Sequence, residues 1–467
     1  MTSSAPVIVV GAGISGLACA YALCKTGMDV QVVEASQRPG GVICSQKRDD
    51  FLVELGPQSF SGTAALRALC GELGIADQLL QASSRAPRYL LADGALRAVP
   101  LSLPAMLTSS LLSRRTKWSI ARDAFGSSAA PENDESVAAF VRRKFGQELL
   151  DRLVEPFVSG IYAGNPESLS LRSAFPQLHD AERATGSVIR GMLRAAKSGK
   201  ERRERPALLS FRSGNETLVR ALAEKIGSRL SVQTEVLAIG FRRGKGSAPF
   251  ELRIRQAGVE QTIAAEHLVI AVPADAAGTL LRDVDAAFEP VLGGIEYAPV
   301  AVVSLGYRRA DVGHSLDGFG FLAPRSTGLR ILGSVWNSSL FPQRAPSSHV
   351  LLTSFVGGAT DPSAVTLSAE ELAAAVHREL APILQIRAAA VFSNVQIYRL
   401  ALPQYKIGHR DRLLALEKLR THFPGLFFVG NYLTGPAIGN CLDSAVATAQ
   451  AVAMQGGARG AVAPRQV

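Results

Sequence analysis

The sequence predicts an α/β fold, α+β overall, in which the largest domain is assembled from segments that lie far apart in the chain. A strand, a glycine-rich turn, a helix and a second strand are predicted over residues 7–34, and another strand, glycine loop and helix over residues 426–454. Between these units, Leu268–Ala274 predicts a third buried strand, which Pro273 ends. Continuous apolar runs are typical of parallel strands that are buried on both faces. The three segments therefore predict one parallel sheet.

The glycine spacing of the first unit predicts a site for a dinucleotide. Gly11 allows a tight turn after the first strand, Gly13 lets a pyrophosphate approach the backbone, and Gly16 lets the helix pack closely on the strand. The N-terminus of the helix then faces the negative charge. Glu34, at the end of the second strand, can accept hydrogen bonds from ribose hydroxyls and would repel a 2′-phosphate, which disfavours NADP. The candidate contacts in this unit are Gly11, Gly13, Ile14, Ser15, Gly16, Glu34 and Ala35.

The closing unit repeats this arrangement near the other end of the chain. Its strand, 426–429, leads into a glycine loop, and a helix is predicted over Leu442–Met454. The partial positive charge of a helix N-terminus suits an anionic group. The candidate contacts in this unit are Gly430, Asn431, Ile438, Gly439 and Asn440.

Composition limits the class of protein. A chain of 467 residues with 47% hydrophobic side chains is long enough for two or three lobes with a large core. The five cysteines have no CxxC spacing, which favours a reducing compartment, and the seven histidines are scattered, so no metal site is expected. The sequence shows neither a secretory signal nor an apolar run of membrane-spanning length. A cytoplasmic protein is expected.

The net charge of +10 raises the question of an anionic partner. Acidic residues interrupt the densest basic segment, Lys197–Pro206, and no aromatic side chains alternate with its charges, so nucleic acid is not expected to bind there. In the stretch Val99–Phe125, apolar residues alternate with arginines, a lysine and a tryptophan. This composition suits a helix that lies in a membrane interface, and it equally suits a helical lobe packed on another domain.

The dinucleotide unit continues into a pattern that resembles a known superfamily. Glu34, Arg38, Gly40 and Gly41 form the sequence E-x-x-x-R-x-G-G. This segment is similar to that of the flavin-containing monoamine oxidase and protoporphyrinogen oxidase superfamily, and the closing unit resembles the C-terminal flavin segment of that superfamily. The resemblance implies a Rossmann-like FAD-binding domain. It adds cofactor contacts at Arg38, Gly40, Gly41, Gly56, Pro57 and Val236.

Further stretches resemble the oxygen-dependent protoporphyrinogen and coproporphyrinogen oxidases. They are spread over most of the chain: "VELGPQSF" at 53–60, "APRYLL" at 86–91, "EPFVSGIYAGNPESLSLRSAFPQL" at 155–178, "LDGFGFLAP" at 316–324, "ILGSVWNSSLFPQRAP" at 331–346 and "TSFVGG" at 353–358. The resemblance implies FAD-dependent oxidation of protoporphyrinogen IX or coproporphyrinogen III in haem biosynthesis, with O2 as acceptor and three molecules of H2O2 formed.

The same resemblance implies a set of substrate contacts. Arg88 occupies the place of the arginine that binds a propionate, and the backbone of Gly160 approaches the macrocycle. Leu322, Val335 and Phe355 correspond to an apolar clamp. Two positions depart from the family pattern. Gln58 stands where plant relatives carry asparagine, and Val335 is smaller than the leucine that is common there, so the reach of the amide and the tightness of the clamp are in question.

The resemblance also implies a division into three domains. The expected ranges are 1–56, 206–275 and 411–457 for the FAD-binding domain, 57–90 and 276–410 for the substrate-binding domain, and 91–205 for a small helical, membrane-binding type of lobe. A flavin amine oxidase or a carotenoid desaturase is the alternative function, although Cys441 stands where amine oxidases place an aromatic ring. The sequence leaves open which porphyrinogen is preferred, peripheral contact with the inner membrane, and a homodimer.

Overall fold

A computed structural model of the chain describes residues 5–100, 102–126, 131–197, 207–242 and 248–460. Most of the basic segment 197–206 lies outside these ranges.

The strands of the described residues are numbered along the chain. They are β1 (Val7–Val10), β2 (Val30–Val33), β3 (Ser45–Arg48), β4 (Phe51–Glu54), β5 (Phe60–Ser61), β6 (Leu79–Gln81), β7 (Arg88–Ala92), β8 (Ala95–Ala98), β9 (Leu208–Phe211), β10 (Leu230–Ser231), β11 (Thr234–Phe241), β12 (Phe250–Gln256), β13 (Val259–Ala265), β14 (His267–Ile270), β15 (Tyr297–Arg308), β16 (Gly320–Leu322), β17 (Ile331–Trp336), β18 (His349–Gly357), β19 (Phe392–Pro403) and β20 (Leu426–Phe428).

The α-helices are numbered in the same way. They are α1 (Ile14–Lys25), α2 (Ala64–Leu73), α3 (Leu103–Thr108), α4 (Arg114–Phe125), α5 (Val137–Phe145), α6 (Gln147–Leu149), α7 (Glu155–Tyr162), α8 (Leu171–Ala174), α9 (Pro176–Thr185), α10 (Val188–Lys197), α11 (Glu216–Ile226), α12 (Ala274–Leu280), α13 (Phe288–Gly293), α14 (Asn337–Leu340), α15 (Ala369–Leu384), α16 (His409–Arg420), α17 (Asn431–Thr434) and α18 (Ile438–Gly460).

A parallel sheet of order β10-β2-β1-β14-β20 forms the nucleotide layer. Its central strands are fully buried runs of valine, isoleucine and leucine, as expected for strands covered on both faces. Val7 lies beside Val30 on one side and His267 on the other, so the segments at the two ends of the chain and the middle segment meet in one sheet. Helices α1, α11 and α18 share the core on one face. The predicted fold class is therefore confirmed.

A second sheet has the order β19-β15-β18-β17-β16-β7-β8. All its neighbouring strands are antiparallel except β16 and β7. The apolar stripe of α15 covers one face through Leu372, Val376 and Leu380. On the other face, the ring of Phe51, from the hairpin of β3 and β4, stacks on Phe392 with centroids 4.5 Å apart. β8 belongs to this sheet, although it falls within the range 91–205.

Helices α3 to α10 form a third, helical part with its own buried core. Charged side chains also hold it together: buried Lys144 lies 3.2 Å from Asp123 and 2.8 Å from Glu182. Helix α7 connects this part to the second sheet, because it packs against β16 and β17. Among the described residues, none of the helices is both long and apolar enough to cross a membrane.

Candidate active site

The glycine turn between β1 and α1 has the geometry of a phosphate cradle. Gly11 has φ of +102°, a backbone conformation that favours glycine. A Cβ atom on Gly16 would lie 2.0 Å from the carbonyl oxygen of Gly11, so only glycine lets the helix start this close to the strand. A Cβ atom on Gly13, in contrast, would meet no atom within 4 Å. The open space beside Gly13 lies at the N-terminus of α1, where an anion is stabilised.

Glu34 lies directly beside this turn. Its carboxylate accepts hydrogen bonds from the backbone N–H of Ala12 at 2.7 Å and from the N–H of Ser36 at 2.9 Å. The side chain is half-buried, so the carboxylate is held at the rim of the cradle with capacity for further donors. This position suits an acceptor for ribose hydroxyls. Ala35, the next residue, is exposed.

The segment after Glu34 folds back on the turn. The N–H of Gly40 donates to the carbonyl of Ala12 at 2.7 Å, and a Cβ atom on Gly41 would lie 3.4 Å from the Cα atom of Gly13. The guanidinium of Arg38 donates to the carbonyl of Gly41 at 2.7 Å and to that of Ile43 at 3.2 Å. A cation and two glycines thus border the open space beside Gly13.

The N-termini of α1 and α18 meet at the same place. Ser15 lies in the first turn of α1 and Cys441 in the first turn of α18, and the two helices pack against each other. The Cys441 thiol donates to the carbonyl of Gly435 at 3.9 Å. Burial raises the pKa of this thiol, and Ser15 opposes the shift. The thiol therefore stays neutral. The N-termini of α1 and α18, which carry partial positive charge, converge on one region.

The remaining predicted cofactor residues border this region or support it. The carbonyl of Pro57 accepts a hydrogen bond from the Asn215 side chain at 2.7 Å, and the carbonyl of Asn431 accepts one from the Tyr405 hydroxyl. Val236 is buried in the core beneath the nucleotide sheet. The others lie in loops or at the first turn of α1 or α18: Ile14, Gly56, Gly430, Ile438, Gly439 and Asn440.

The second sheet carries the predicted substrate residues on a single face. Gly320 pairs with Arg88 on one side and with Val335 on the other. Leu322, two residues further along β16, pairs with Gly333, which in turn pairs with Phe355. Residues that lie opposite each other in neighbouring strands point to the same face, and so do residues two apart in one strand. Arg88, Leu322, Val335 and Phe355 therefore project from one face.

The burial of this face is typical of the wall of a chamber. Leu322, Val335 and Phe355 are half-buried, whereas Phe321 and Ser334, which point to the opposite face, are buried. Arg88 is exposed at one end of the stripe, and its guanidinium lies 5.4 Å from the ring centroid of Phe319. An apolar wall with a cation at its end suits a flat ligand with carboxylate arms.

Gly160 brings helix α7 against this wall. A Cβ atom on Gly160 would lie 2.5 Å from the Cδ2 atom of Leu322, so glycine allows the close approach. Gly160 is exposed and lies in the last turn of α7, where backbone carbonyls have no partner within the helix. Its carbonyl can therefore accept a hydrogen bond from a ligand.

The side chain of Gln58 makes its hydrogen bonds to other residues of the protein. Its side-chain Nε2 donates to the carbonyls of Glu54 at 3.0 Å and Gly56 at 2.8 Å, and its Oε1 accepts from Asn337 at 2.7 Å. Both N–H groups of the amide are used within the protein. In this structure Gln58 connects the nucleotide layer to the second sheet, and a role in substrate binding stays a prediction.

Sequence reasoning missed Tyr398, which lies on the same sheet face. It pairs with Val300 on β15, which pairs in turn with Gly357 on β18, and its ring packs in the cluster that contains Phe355. Burial raises the pKa of Tyr398 to about 12, so the hydroxyl is protonated at neutral pH. Strict alternation along β19 could have placed this aromatic residue on the inner face, but the strand shows no clear apolar alternation.

Near the closing unit, buried His409 is expected to make the protein sensitive to acid. The side chain packs on Tyr405 with ring centroids 4.7 Å apart, and burial lowers its pKa to about 4. When the pH falls below about 6.5, the ordinary pKa of histidine, His409 becomes protonated in the unfolded chain. In the folded chain it stays neutral until about pH 4. Stability therefore falls as the pH falls through this window, by about 3 kcal/mol from this group.

The measurement is the free energy of unfolding between pH 7 and pH 4.5 for the wild type and for His409→Gln. The substitution is expected to flatten the pH dependence, while His422→Gln at an exposed histidine leaves it unchanged. An identical pH dependence in all three proteins would contradict the assignment.

Comparison with known proteins identifies the class. Residues 14–453 match the flavin containing amine oxidoreductase family, which is most of the chain, so the chain belongs to that family. It is a flavin-dependent oxidoreductase with FAD as its cofactor. The open space at Gly13, the acceptor Glu34 and the paired helix N-termini fit this dinucleotide.

Relatives narrow the assignment within that class. The chain is 35% identical to the chloroplastic protoporphyrinogen oxidase of Oryza sativa subsp. japonica, over 96% of this chain and 88% of the relative. It is 29% identical to the coproporphyrinogen III oxidase of Bacillus subtilis (strain 168), over 94% of this chain and 95% of the relative. A crystal structure from Exiguobacterium sp. 255-15, provisionally assigned as a protoporphyrinogen oxidase, superposes with a TM-score of 0.79 at 26% identity and covers 97% of this chain and 100% of its own. The chain therefore belongs to the protoporphyrinogen and coproporphyrinogen III oxidase family.

Proposed function

We propose that this protein oxidises a porphyrinogen, protoporphyrinogen IX or coproporphyrinogen III, to the corresponding porphyrin. The single observation that carries the proposal is the common face of the second sheet, on which Arg88 and the apolar side chains of Leu322, Val335 and Phe355 lie together. The bound flavin supplies two-electron oxidation and passes the electrons to O2, so a six-electron oxidation consumes three O2 and forms three H2O2.

The residues of the chain bind and orient the substrate in this proposal. The apolar wall holds the flat macrocycle, and Gly160 lets α7 approach its edge and offers a carbonyl to pyrrole N–H groups. The wall also excludes water from the reacting carbon. Glu34, Arg38 and the glycines of the turn would hold the FAD ribose and pyrophosphate, and Gly56, Pro57 and the first turn of α18 would contact the rest of the cofactor. The expected domain ranges assign the binding of FAD to one domain and the binding of the substrate to another.

The test is the aerobic appearance of porphyrin fluorescence with purified holoenzyme. Protoporphyrinogen IX and coproporphyrinogen III are supplied in parallel, against a sample without enzyme that measures spontaneous oxidation. We expect acceleration of at least one substrate with about three O2 consumed per porphyrin formed. A holoenzyme that accelerates neither would overturn the proposal.

Arg88 is expected to contribute to substrate affinity. A guanidinium pairs with a propionate by charge-assisted hydrogen bonds that persist throughout the reaction, so Arg88→Ala should raise KM by about tenfold to hundredfold. The value of kcat should change by less than about twofold. Arg88→Lys should fall between, because an ammonium lacks the planar fork. Steady-state kinetics with both porphyrinogens check this, with Arg253→Ala at an exposed arginine of β12 as control. Unchanged KM for both substrates would remove Arg88 from the site.

We further propose peripheral contact with an anionic membrane through α4. Trp118 is 69% exposed and Phe125 is 88% exposed, and they share the helix with exposed Arg114 and Arg115. Aromatic side chains beside cations suit the headgroup region. In sedimentation with phosphatidylglycerol vesicles, Trp118→Ser combined with Phe125→Ser should weaken binding by about tenfold or more. Met454→Ser, at another exposed apolar residue, should have no effect. Equal sedimentation of all three proteins would contradict this contact.

A further inference from the structure

A buried ion pair joins β4 to the segment between α14 and β18. Arg344 follows α14, in the connection between two strands of the second sheet, and its Nη2 atom lies 3.3 Å from the Oε1 atom of Glu54, at the end of β4. Both side chains are 1% exposed. Burial raises the pKa of Glu54 and lowers that of Arg344, and each charge opposes the shift of the other. The pair is thus a contact between layers that solvent does not reach.

The hydrogen-bond partners of Arg344 lie in β4 and β9, two strands outside the parallel sheet, and Leu209 and Phe211 of β9 belong to the core that packs on that sheet. Its Nη2 donates to the hydroxyl of Ser210 and to the carbonyl of Phe211 at 3.3 Å, and its own carbonyl accepts from the N–H of Leu52 at 3.1 Å. The guanidinium therefore fixes the segment that follows α14 to strands β4 and β9. We name residues 337–344 the interlayer clasp.

Hydrogen bonds connect Glu54 with residues 56–58, which are proposed to contact the flavin. Glu54 accepts from the N–H of Asn215 at 3.0 Å, and the Asn215 side chain donates to the carbonyl of Pro57 at 2.7 Å. Gln58 donates to the carbonyl of Glu54 and accepts from Asn337, the first residue of the clasp. Asn337 lies two residues after Val335 of the apolar wall. A continuous set of hydrogen bonds thus connects the wall with residues 56–58.

The pair is not arranged for maximal stability. Among the described residues, no acceptor reaches Nε or Nη1 of Arg344, so two guanidinium nitrogens are buried without a partner. Desolvation of two charges commonly cancels their attraction, and apolar replacements of such pairs are often neutral or stabilising. A buried pair with unused donors is therefore better explained by the position that it specifies than by the free energy that it adds.

We propose that Arg344 is a positioning residue: through Glu54 and the clasp it sets the spacing between residues 56–58 and the apolar wall that carries Val335. This inference rests on the proposed function, because the spacing matters for the transfer of hydrogen from the macrocycle to the flavin. A displacement of about 1 Å at a reacting centre can reduce the rate by about a hundredfold. Arg344 itself does not touch the substrate in this proposal.

The test distinguishes an effect on the position of residues 56–58 from an effect on stability. It removes the charge of Arg344 alone or the charges of both Arg344 and Glu54. Arg344→Met leaves Glu54 buried without its partner and should lower the melting temperature. Arg344→Met combined with Glu54→Gln removes both charges and should restore the melting temperature to near that of the wild type. In both proteins kcat should fall by at least about tenfold, with KM within about twofold of the wild type. Arg344→Lys, which keeps the charge, should recover part of kcat.

Two readouts do not depend on the substrate. Hydrogen exchange of the backbone amides of Leu55, Gly56 and Gln58 should be several times faster in the double variant, and the visible absorption bands of the bound flavin should shift. The control is Arg330→Met, which breaks an ion pair with Asp361, at 2.9 Å, away from the clasp, and should change neither readout.

The outcomes are distinguishable. A double variant with wild-type kcat, exchange and spectrum would overturn the proposal and leave the pair a structural contact. If the wild type oxidises neither porphyrinogen, the proposed function fails, and exchange and spectrum alone decide whether Arg344 positions residues 56–58. If Arg344→Met does not fold, the double variant and Arg344→Lys carry the test.

Discussion

Gly16→Ala is expected to destabilise the folded chain severely, whereas Gly13→Ala is expected to leave the fold intact and to lose the flavin. A methyl group at position 16 would lie 2.0 Å from the carbonyl oxygen of Gly11 and 3.0 Å from the Cβ atom of Ala271. The first atom belongs to the backbone and the second to the half-buried residue that follows β14, so the clash cannot be relieved without separating α1 from β1. We expect a loss of about 3 kcal/mol or more in the free energy of unfolding of the apoprotein.

Gly13 provides the matched control. Its φ is −68°, which any residue adopts, and a methyl group there would meet no protein atom within 4 Å. The apoprotein should therefore unfold at nearly the wild-type temperature. The methyl group would occupy the space that the pyrophosphate needs, so the dissociation constant for FAD should rise by at least about tenfold.

The two variants are compared by the thermal unfolding of apoprotein and by titration with FAD. Wild-type FAD affinity in Gly13→Ala would show that the pyrophosphate does not approach this turn. A Gly16→Ala apoprotein as stable as the wild type would show that α1 tolerates a larger separation from β1 than the structure allows.

The dinucleotide unit could be predicted from the sequence because all of its determinants are local. The apolar run of β1, the spacing of Gly11, Gly13 and Gly16, and the acid at Glu34 lie within one βαβ unit. The third strand was predicted from its apolar run, and the closing helix was placed within a few residues of where α18 runs. FAD as the cofactor is likewise confirmed by the family.

The substrate face could not be predicted from local pattern. Arg88, Leu322, Val335 and Phe355 come from four strands, and they share a face only because of the register between those strands. Register depends on long-range pairing, which leaves no periodic signal in any one strand. These residues were found through resemblance, and their roles stay proposals.

The contacts of the interlayer clasp could be predicted from the sequence even less than the substrate face. Arg344 and Glu54 both lie in stretches that resemble the family, at 331–346 and 53–60, but nothing in either stretch indicates that the two side chains pair with each other. The pair can be recognised only because both side chains are buried side by side, and this burial arises only when the chain has folded. The same reasoning applies to Gln58, whose residue type predicts a polar contact but not that its N–H groups are used within the protein.

Gly160→Ala is expected to reduce kcat/KM by about tenfold with almost no change in stability. The added methyl group would lie 2.5 Å from the Cδ2 atom of Leu322. That atom is the end of a flexible, half-buried side chain, so Leu322 can turn away, and we expect it to turn into the space that the macrocycle occupies in the proposed function. Alanine favours the helix over glycine by about 1 kcal/mol, which offsets the crowding.

A double variant decides whether Gly160→Ala acts through Leu322. Leu322→Ala removes the crowded methyl groups, so Gly160→Ala should add little to the loss of kcat/KM that Leu322→Ala causes alone. Steady-state kinetics and thermal unfolding of the three variants measure this. A fall in melting temperature with unchanged kcat/KM in Gly160→Ala would mean that the glycine serves only the packing of α7 on β16. A loss of kcat/KM that is much smaller when Leu322 is already alanine would show that Gly160→Ala acts by displacing Leu322 from its place in the apolar wall.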